Sequence, residues 1–122
     1  MNKLKKILLI DEQQFFSENL KKIIADSGNF EIETALNISA ATENLSKNKF
    51  DFILIDTRIM TYWGAEIEKA LLPNNYEAKV IMLESSAFVN SNSFENNNFI
   101  TIEKPFEINE LLKVLTKNGV TI

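Results

Sequence analysis

Four short apolar runs of this sequence end at residues that can bind a cation or an anion. These residues are Asp11 and Glu12, Asp56, Glu84 and Ser85, and Lys104. Clustered carboxylates repel one another unless a hard cation lies among them, and an open, oxygen-rich site suits Mg²⁺ with several waters retained. A lysine opposite the acids would stabilise a transferred anion such as a phosphoryl group. Polar residues are also ordinary after strands, because loops are polar, so the chemistry depends on a fold that brings the whole set together.

Five apolar segments predict the strands that must carry these residues. They span residues 6–10, 30–35, 52–55, 79–83 and 99–102. Three of them are nearly continuous in apolar residues, which is typical of strands covered on both faces of a parallel sheet. In such a sheet, ligands gather at the carboxyl ends of the strands, where the strand order reverses. The acids and the lysine are therefore expected on one edge of the sheet.

Segments of helical period separate the strands. Apolar residues at helical spacing predict helices around 16–24, 38–45, 67–71 and 108–115. Pro73 would end the third of these, and the Asn and Ser residues of 88–98 favour turns, so a helix there would be short. This alternation predicts a doubly wound α/β fold with a five-stranded parallel sheet and right-handed crossovers.

Composition narrows the function classes. The chain has 122 residues, 45% of them hydrophobic and 25% charged, which fits one domain, residues 1–122, with one core. Its net charge of −4 and the absence of a basic stripe predict no direct nucleic-acid binding. Without Cys or His, the common zinc sites and Cys- or His-based catalysis are excluded. No apolar run approaches a membrane span and Met1 to Lys6 lacks a secretory signal, which predicts a cytoplasmic chain.

Three motifs, in this order and spacing, resemble the receiver domain of bacterial two-component response regulators. "KILLIDEQ" (6–13) is similar to the first strand of that family with its acidic pair. "LIDTRIMTYWG" (54–64) is similar to the phosphoacceptor strand and loop, with Gly64 where the family usually has glycine. "IEKPF" (102–106) resembles the final-strand signature, which implies a cis Lys104–Pro105 peptide. The resemblance spans essentially the whole chain and implies the (βα)5 flavodoxin-like fold.

The resemblance implies a phosphorylation switch. Asp56 would accept a phosphoryl group from a histidine kinase or a phosphotransfer protein, and Lys104 would contact that group. Mg²⁺ would be bound by Asp11, Glu12, Asp56 and the backbone carbonyl of Arg58. The chain would promote only its own phosphorylation and dephosphorylation, and would not be an enzyme acting on other substrates.

The implied output is a change of surface. A phosphoryl group adds charge that biases a bistable loop and helix surface. An output partner or a downstream domain would bind through the fourth helix, the fifth strand and the fifth helix. A second copy of the chain is a further candidate partner for such a surface.

The sequence departs from the family pattern at the switch residues. The family has Thr or Ser at the end of the fourth strand, where one alignment places Glu84 and a shift of one residue places Ser85. The position of the usual fifth-strand aromatic is Thr101, and Met60 stands where the family normally has proline. A carboxylate at position 84 would repel an aspartyl phosphate.

These departures leave a second function class open. The chain could be a pseudo-receiver, a protein-interaction or dimerisation module that works without phosphate. A phosphatase of the haloacid dehalogenase type also uses an aspartate after an apolar strand, but it needs a second acid two residues later, where this chain has Arg58. The intact set of Asp11, Asp56 and Lys104 favours the phosphorylated receiver.

Overall fold

All neighbouring strands of the sheet are parallel. A computed structural model describes residues 4–75, 77–85 and 100–119. The strands are β1 (Lys5–Ile10), β2 (Phe30–Ala35), β3 (Phe52–Asp56), β4 (Lys79–Ser85) and β5 (Ile100–Lys104), and their order in the sheet is β2-β1-β3-β4-β5. All five predicted strands and the parallel, doubly wound arrangement are confirmed. The strand order reverses between β1 and β3, so the carboxyl ends of these two strands flank the switch point of the sheet.

The helices in the described part of the chain are α1 (Gln14–Asp26), α2 (Ile38–Lys47), α3 (Thr57–Leu71) and α4 (Ile108–Gly119). Helix α4 is the fifth helix of the sequence prediction, because the predicted short helix at 88–98 lies outside the described residues. None of the helices described here combines the length and hydropathy needed to cross a lipid bilayer.

Helix α3 begins much earlier than the apolar spacing of 67–71 predicted. Its N-cap is Asp56, whose side chain accepts a hydrogen bond from the backbone N–H of Arg58, as capping acids do. Helical geometry is interrupted at Trp63, which has φ −125° and ψ 19°. The strand that ends in Asp56 therefore leads into a helix without a connecting loop.

Two apolar clusters cover the two faces of the sheet. Side chains alternate between the faces along each strand, so Leu54 packs with α1 and α4 whereas Ile53 and Ile55 pack with α2 and α3. The central strand positions of β1 and β3 are fully buried, which explains their continuous apolar runs. Asp56 follows Leu54 by two residues and Lys104 follows Ile102 by two, so both continue the face that α1 and α4 cover.

A buried asparagine connects the elements at the amino edge of β3. Asn75, which is 2% exposed, follows α3 in the turn that leads to β4. Its Oδ1 accepts a hydrogen bond from the N–H of Phe50 at 2.6 Å. Its Nδ2 donates to the carbonyl oxygens of Leu45 at 3.0 Å and Asn48 at 2.8 Å. One side chain thus satisfies backbone groups at the end of α2 and at the entrance to β3.

Candidate functional site

One lysine ammonium lies between two buried carboxylates at the carboxyl edge of the sheet. The Nζ of Lys104 is 2.8 Å from Oδ2 of Asp11 and 2.8 Å from Oδ2 of Asp56. The side chains of Asp11 and Asp56 are 1% and 6% exposed, and that of Lys104 is 12% exposed. The predicted convergence of the ends of β1, β3 and β5 is confirmed for these three residues. They form a charged cluster that is largely shielded from solvent.

The second oxygen of each carboxylate binds the backbone that follows its strand. Oδ1 of Asp11 accepts a hydrogen bond from the N–H of Gln13 at 2.9 Å, and Oδ1 of Asp56 accepts one from the N–H of Arg58 at 2.7 Å. Hydrogen bonds to an ionised acceptor are stronger than neutral ones. Both carboxylates are therefore held in a fixed orientation with their Oδ2 atoms directed at the same ammonium. Each oxygen still has a second lone pair available for a further ligand.

One aromatic ring lies against the lysine, and a second ring supports the first. The Nζ of Lys104 is 4.2 Å from the centroid of the Phe16 ring, within the range of a cation–π contact. The Phe16 ring meets the Phe106 ring edge-on, with the centroids 6.2 Å apart and an interplanar angle of 86°. The sequence predicted Phe16 as an apolar position of α1, and no sequence signal indicated its contact with the ammonium. The Lys104–Pro105 peptide is cis, as expected.

The other two predicted metal ligands lie at the rim of this cluster. Glu12 follows Asp11 and is exposed, and Arg58 is exposed in the first turn of α3. In an α-helix the carbonyl of a residue accepts from the N–H four residues later, so a metal bond to the Arg58 carbonyl would require this turn to open. Among the residues that the structure describes, no three acidic side chains form a ready metal cluster. The donors nevertheless fit a hard cation, because two buried carboxylates and an adjacent exposed one supply only oxygen ligands.

The predicted switch residues lie on β4 and β5. Leu83 is paired in register with Asp56, so Glu84 is the next residue along the neighbouring strand, and it is partly buried. On the other side, Glu84 is in register with the exposed Glu103, which places two like charges opposite each other. Ser85 is in register with Lys104. The roles of Glu84 and Ser85 stay predictions.

Thr101 is exposed and lies in register with Met82. As the sequence indicated, β5 has no aromatic ring at this position. Its role as a switch residue also stays a prediction.

A buried threonine beside Asp56 was missed by sequence reasoning. Thr57, which is 3% exposed, donates a hydrogen bond from Oγ1 to the carbonyl oxygen of Leu83 at 3.1 Å. This bond fixes the start of α3 to the end of β4. The segment after the candidate acceptor and the strand that leads to Glu84 are therefore directly connected.

Comparison with known proteins gives a consistent result. A sequence model described as the response regulator receiver domain matches residues 7–116. An uncharacterized response regulatory protein from Vibrio cholerae is 27% identical over 111 residues, which cover 90% of this chain and 46% of that protein. The chain thus spans about half the length of this relative.

Two solved structures show the same fold. The crystal structure of a response regulator receiver modulated diguanylate cyclase from Pelobacter carbinolicus is 28% identical, with a TM-score of 0.73, and the match covers 93% of this chain and 91% of that one. The receiver domain of a sensor histidine kinase from Pseudomonas aeruginosa, solved with a magnesium ion coordinated in its active-site cleft, is 18% identical. Its TM-score is 0.70, with 94% of this chain and 97% of that one covered.

Proposed function

The chain belongs to the response regulator receiver domain family, and from this premise we propose that it is a phosphorylation-dependent signalling switch whose phosphoryl acceptor is Asp56. Receiver domains act in phosphorelay signalling. The observation that carries the proposal is the position of one ammonium, Lys104, at 2.8 Å from both Asp11 and Asp56. An acceptor carboxylate, a second acid and a cation at one point are the groups that phosphoryl transfer needs.

The reaction follows from the charges around Asp56. One carboxylate oxygen forms a bond to phosphorus, the phosphorus–nitrogen bond of a phosphohistidine donor breaks, and the released imidazole nitrogen takes a proton. The Lys104 ammonium neutralises charge on the phosphoryl oxygens, so catalysis is mostly positioning and electrostatic stabilisation. Mg²⁺, when held by Asp11, Asp56 and Glu12, would supply further charge neutralisation. The receiver domain from Pseudomonas aeruginosa with magnesium in its cleft supports this part of the proposal.

The proposed partners are those of the family. A histidine kinase or a phosphotransfer protein would supply the phosphoryl group. An output partner, a downstream domain or a second copy of the chain would bind the surface of the fourth predicted helix, β5 and α4. A structural change caused by the charge added at Asp56 would be transmitted toward that surface through the hydrogen bond from Thr57 to Leu83, which links α3 to β4.

Phosphate acceptance by Asp56 tests the proposed function. After incubation with acetyl phosphate and Mg²⁺, intact-mass measurement should show one labile phosphoryl adduct on the wild-type chain. Asp56→Asn should show none, although asparagine also caps helices well and preserves the start of α3. Glu103→Gln, which removes an exposed acid near the same edge, should keep the adduct. A wild-type chain that stays unmodified under these conditions would contradict the proposal and favour an interaction module that works without phosphate.

The acid at position 84 predicts a weakened switch. Glu84 follows Leu83, the register partner of Asp56 on the neighbouring strand, and like charges at the solvent-facing edge of a protein repel each other by on the order of 1 kcal/mol. Glu84→Thr should therefore bind beryllofluoride, a mimic of the phosphoryl group, more tightly than wild type and lose the phosphoryl group more slowly. Titration of beryllofluoride in the presence of Mg²⁺ measures the first effect.

Two further variants make this result specific. Glu103→Gln removes the acid opposite Glu84 and should change the affinity less, because it lies on the strand farther from Asp56. If Glu84→Thr leaves the affinity unchanged and Ser85→Ala lowers it, the switch hydroxyl belongs to Ser85. If neither Glu84→Thr nor Ser85→Ala changes the affinity, β4 has no switch residue.

A further inference from the structure

The ammonium of Lys104 has three sides occupied. A lysine ammonium carries three N–H donors, and two of them are directed at the Oδ2 atoms of Asp11 and Asp56. The face of the Phe16 ring lies 4.2 Å from the same nitrogen. A π face attracts the cation through its quadrupole and takes no hydrogen bond away from the carboxylates. The ring thus covers one further side of the ammonium.

The burial of the contact makes it stronger than a surface pair. The Lys104 side chain is only 12% exposed, and cation–π contacts gain strength when the cation is desolvated. The Phe16 ring is itself half-buried and is supported edge-on by Phe106. Its orientation is therefore fixed by α1 and by the segment that follows β5.

We infer that Phe16 is a positioning residue, whose ring face holds the ammonium of Lys104 against the candidate acceptor carboxylate. The inference deepens the proposed function and rests on it for the consequence that phosphoryl binding depends on this ring. An aliphatic side chain of similar size would fill the same space but would neither attract the cation nor direct it. The alternative is that Phe16 only fills space at the edge of the apolar cluster of α1 and α4.

Progressive fluorination of Phe16 distinguishes the positioning role from a space-filling role. Site-specific incorporation of mono-, di- and trifluorophenylalanine keeps the shape of the ring and reduces the negative electrostatic potential of its face. The melting temperature should fall with each added fluorine, and this fall should disappear in a Lys104→Met background. Beryllofluoride affinity should decline in parallel, by about three- to thirtyfold over the series, as expected for loss of a partly desolvated cation–π contact.

A second ring serves as the control. Phe30, which is buried and packs edge-on against Phe52, should respond to fluorination equally in the wild-type and Lys104→Met backgrounds, because its quadrupole acts on another ring and not on the ammonium. Phe16→Leu should lower beryllofluoride affinity, whereas Phe16→Tyr, which keeps an aromatic face, should retain most of the wild-type affinity.

The outcomes distinguish this inference from the proposed function. A melting temperature that is constant across the Phe16 series, or that falls equally in the Lys104→Met background, overturns the positioning role whatever the beryllofluoride result. A wild-type chain that fails to bind beryllofluoride overturns the proposed function. The melting series in both backgrounds then decides the role of Phe16 alone.

Discussion

Lys104→Met is expected to lower the free energy of unfolding by about 3–5 kcal/mol, the cost of leaving buried charges without their partner. The substitution keeps the length and apolar stem of the side chain but leaves the carboxylates of Asp11 and Asp56 facing each other. These side chains are 1% and 6% exposed, so water cannot replace the lost ammonium efficiently. Urea unfolding at neutral pH, with the slope of the transition compared between variants, measures the effect.

Lys47 provides the matched control for this prediction. Its Nζ is also 2.8 Å from a carboxylate, Oε2 of Glu43, but the two side chains are 66% and 64% exposed. The hydrogen bond from Lys47, and then its charge, lower the pKa of Glu43 below its usual value. Lys47→Met should nevertheless change stability little, as for most exposed pairs.

A triple variant tests the cause. Adding Asp11→Asn and Asp56→Asn to Lys104→Met removes the unpaired charges and should recover much of the lost stability, because neutral amides of the same shape replace the ions. Equal losses for Lys104→Met and Lys47→Met would refute the idea that the buried charges depend on the lysine.

Asn75→Ala is expected to lower the free energy of unfolding by about 2–4 kcal/mol, because it leaves the N–H of Phe50 and the carbonyl of Leu45 without their buried partner. Asn75→Asp should be worse, since a carboxylate facing two carbonyl oxygens repels them. Thermal and urea unfolding measure both variants.

The neighbouring residue offers a control of identical chemistry. Asn74 is exposed and donates one hydrogen bond, from Nδ2 to the carbonyl oxygen of Ser46 at 2.9 Å. Asn74→Ala should have little effect, because water replaces that bond. A loss at position 75 no larger than at position 74 would show that the buried network contributes nothing beyond an exposed contact.

The sequence predicted the strands well because burial on both faces leaves an unambiguous pattern. The runs that contain Leu9 and Leu54 are apolar at successive positions, and the residues after them must lie at the carboxyl edge of a parallel sheet. Strand direction therefore places Asp11, Asp56 and Lys104 at one edge of the sheet. Their contact also needs the long side chain of Lys104, because β4 lies between β3 and β5.

The parts that the sequence did not reveal depend on single contacts between distant residues. Asn75 occurs in a turn, where asparagine is common for local reasons, so its burial has no local signal. Phe16 fits the apolar period of α1 whether its ring faces the core or a cation. The early start of α3 had a sequence signal, because Ile59, Met60 and Ile67 are spaced as on one face of a helix, and all three are buried. Recognising it would have required reading Asp56 as the N-cap of that helix.

The break at Trp63 separates the first turns of α3 from the remainder of the helix. Helices shorter than about 12–15 residues are marginal without outside support. The segment 57–62 therefore depends on the Asp56 cap, on the bond from Thr57 to Leu83 and on the buried side chains of Ile59 and Met60. Such a segment can open locally at a free energy below that of global unfolding, and its amides would exchange with solvent ahead of the core strands. The proposed phosphorylation of Asp56 would therefore change a carboxylate that caps this segment, and its first effect on the fold is expected there and not in the strands.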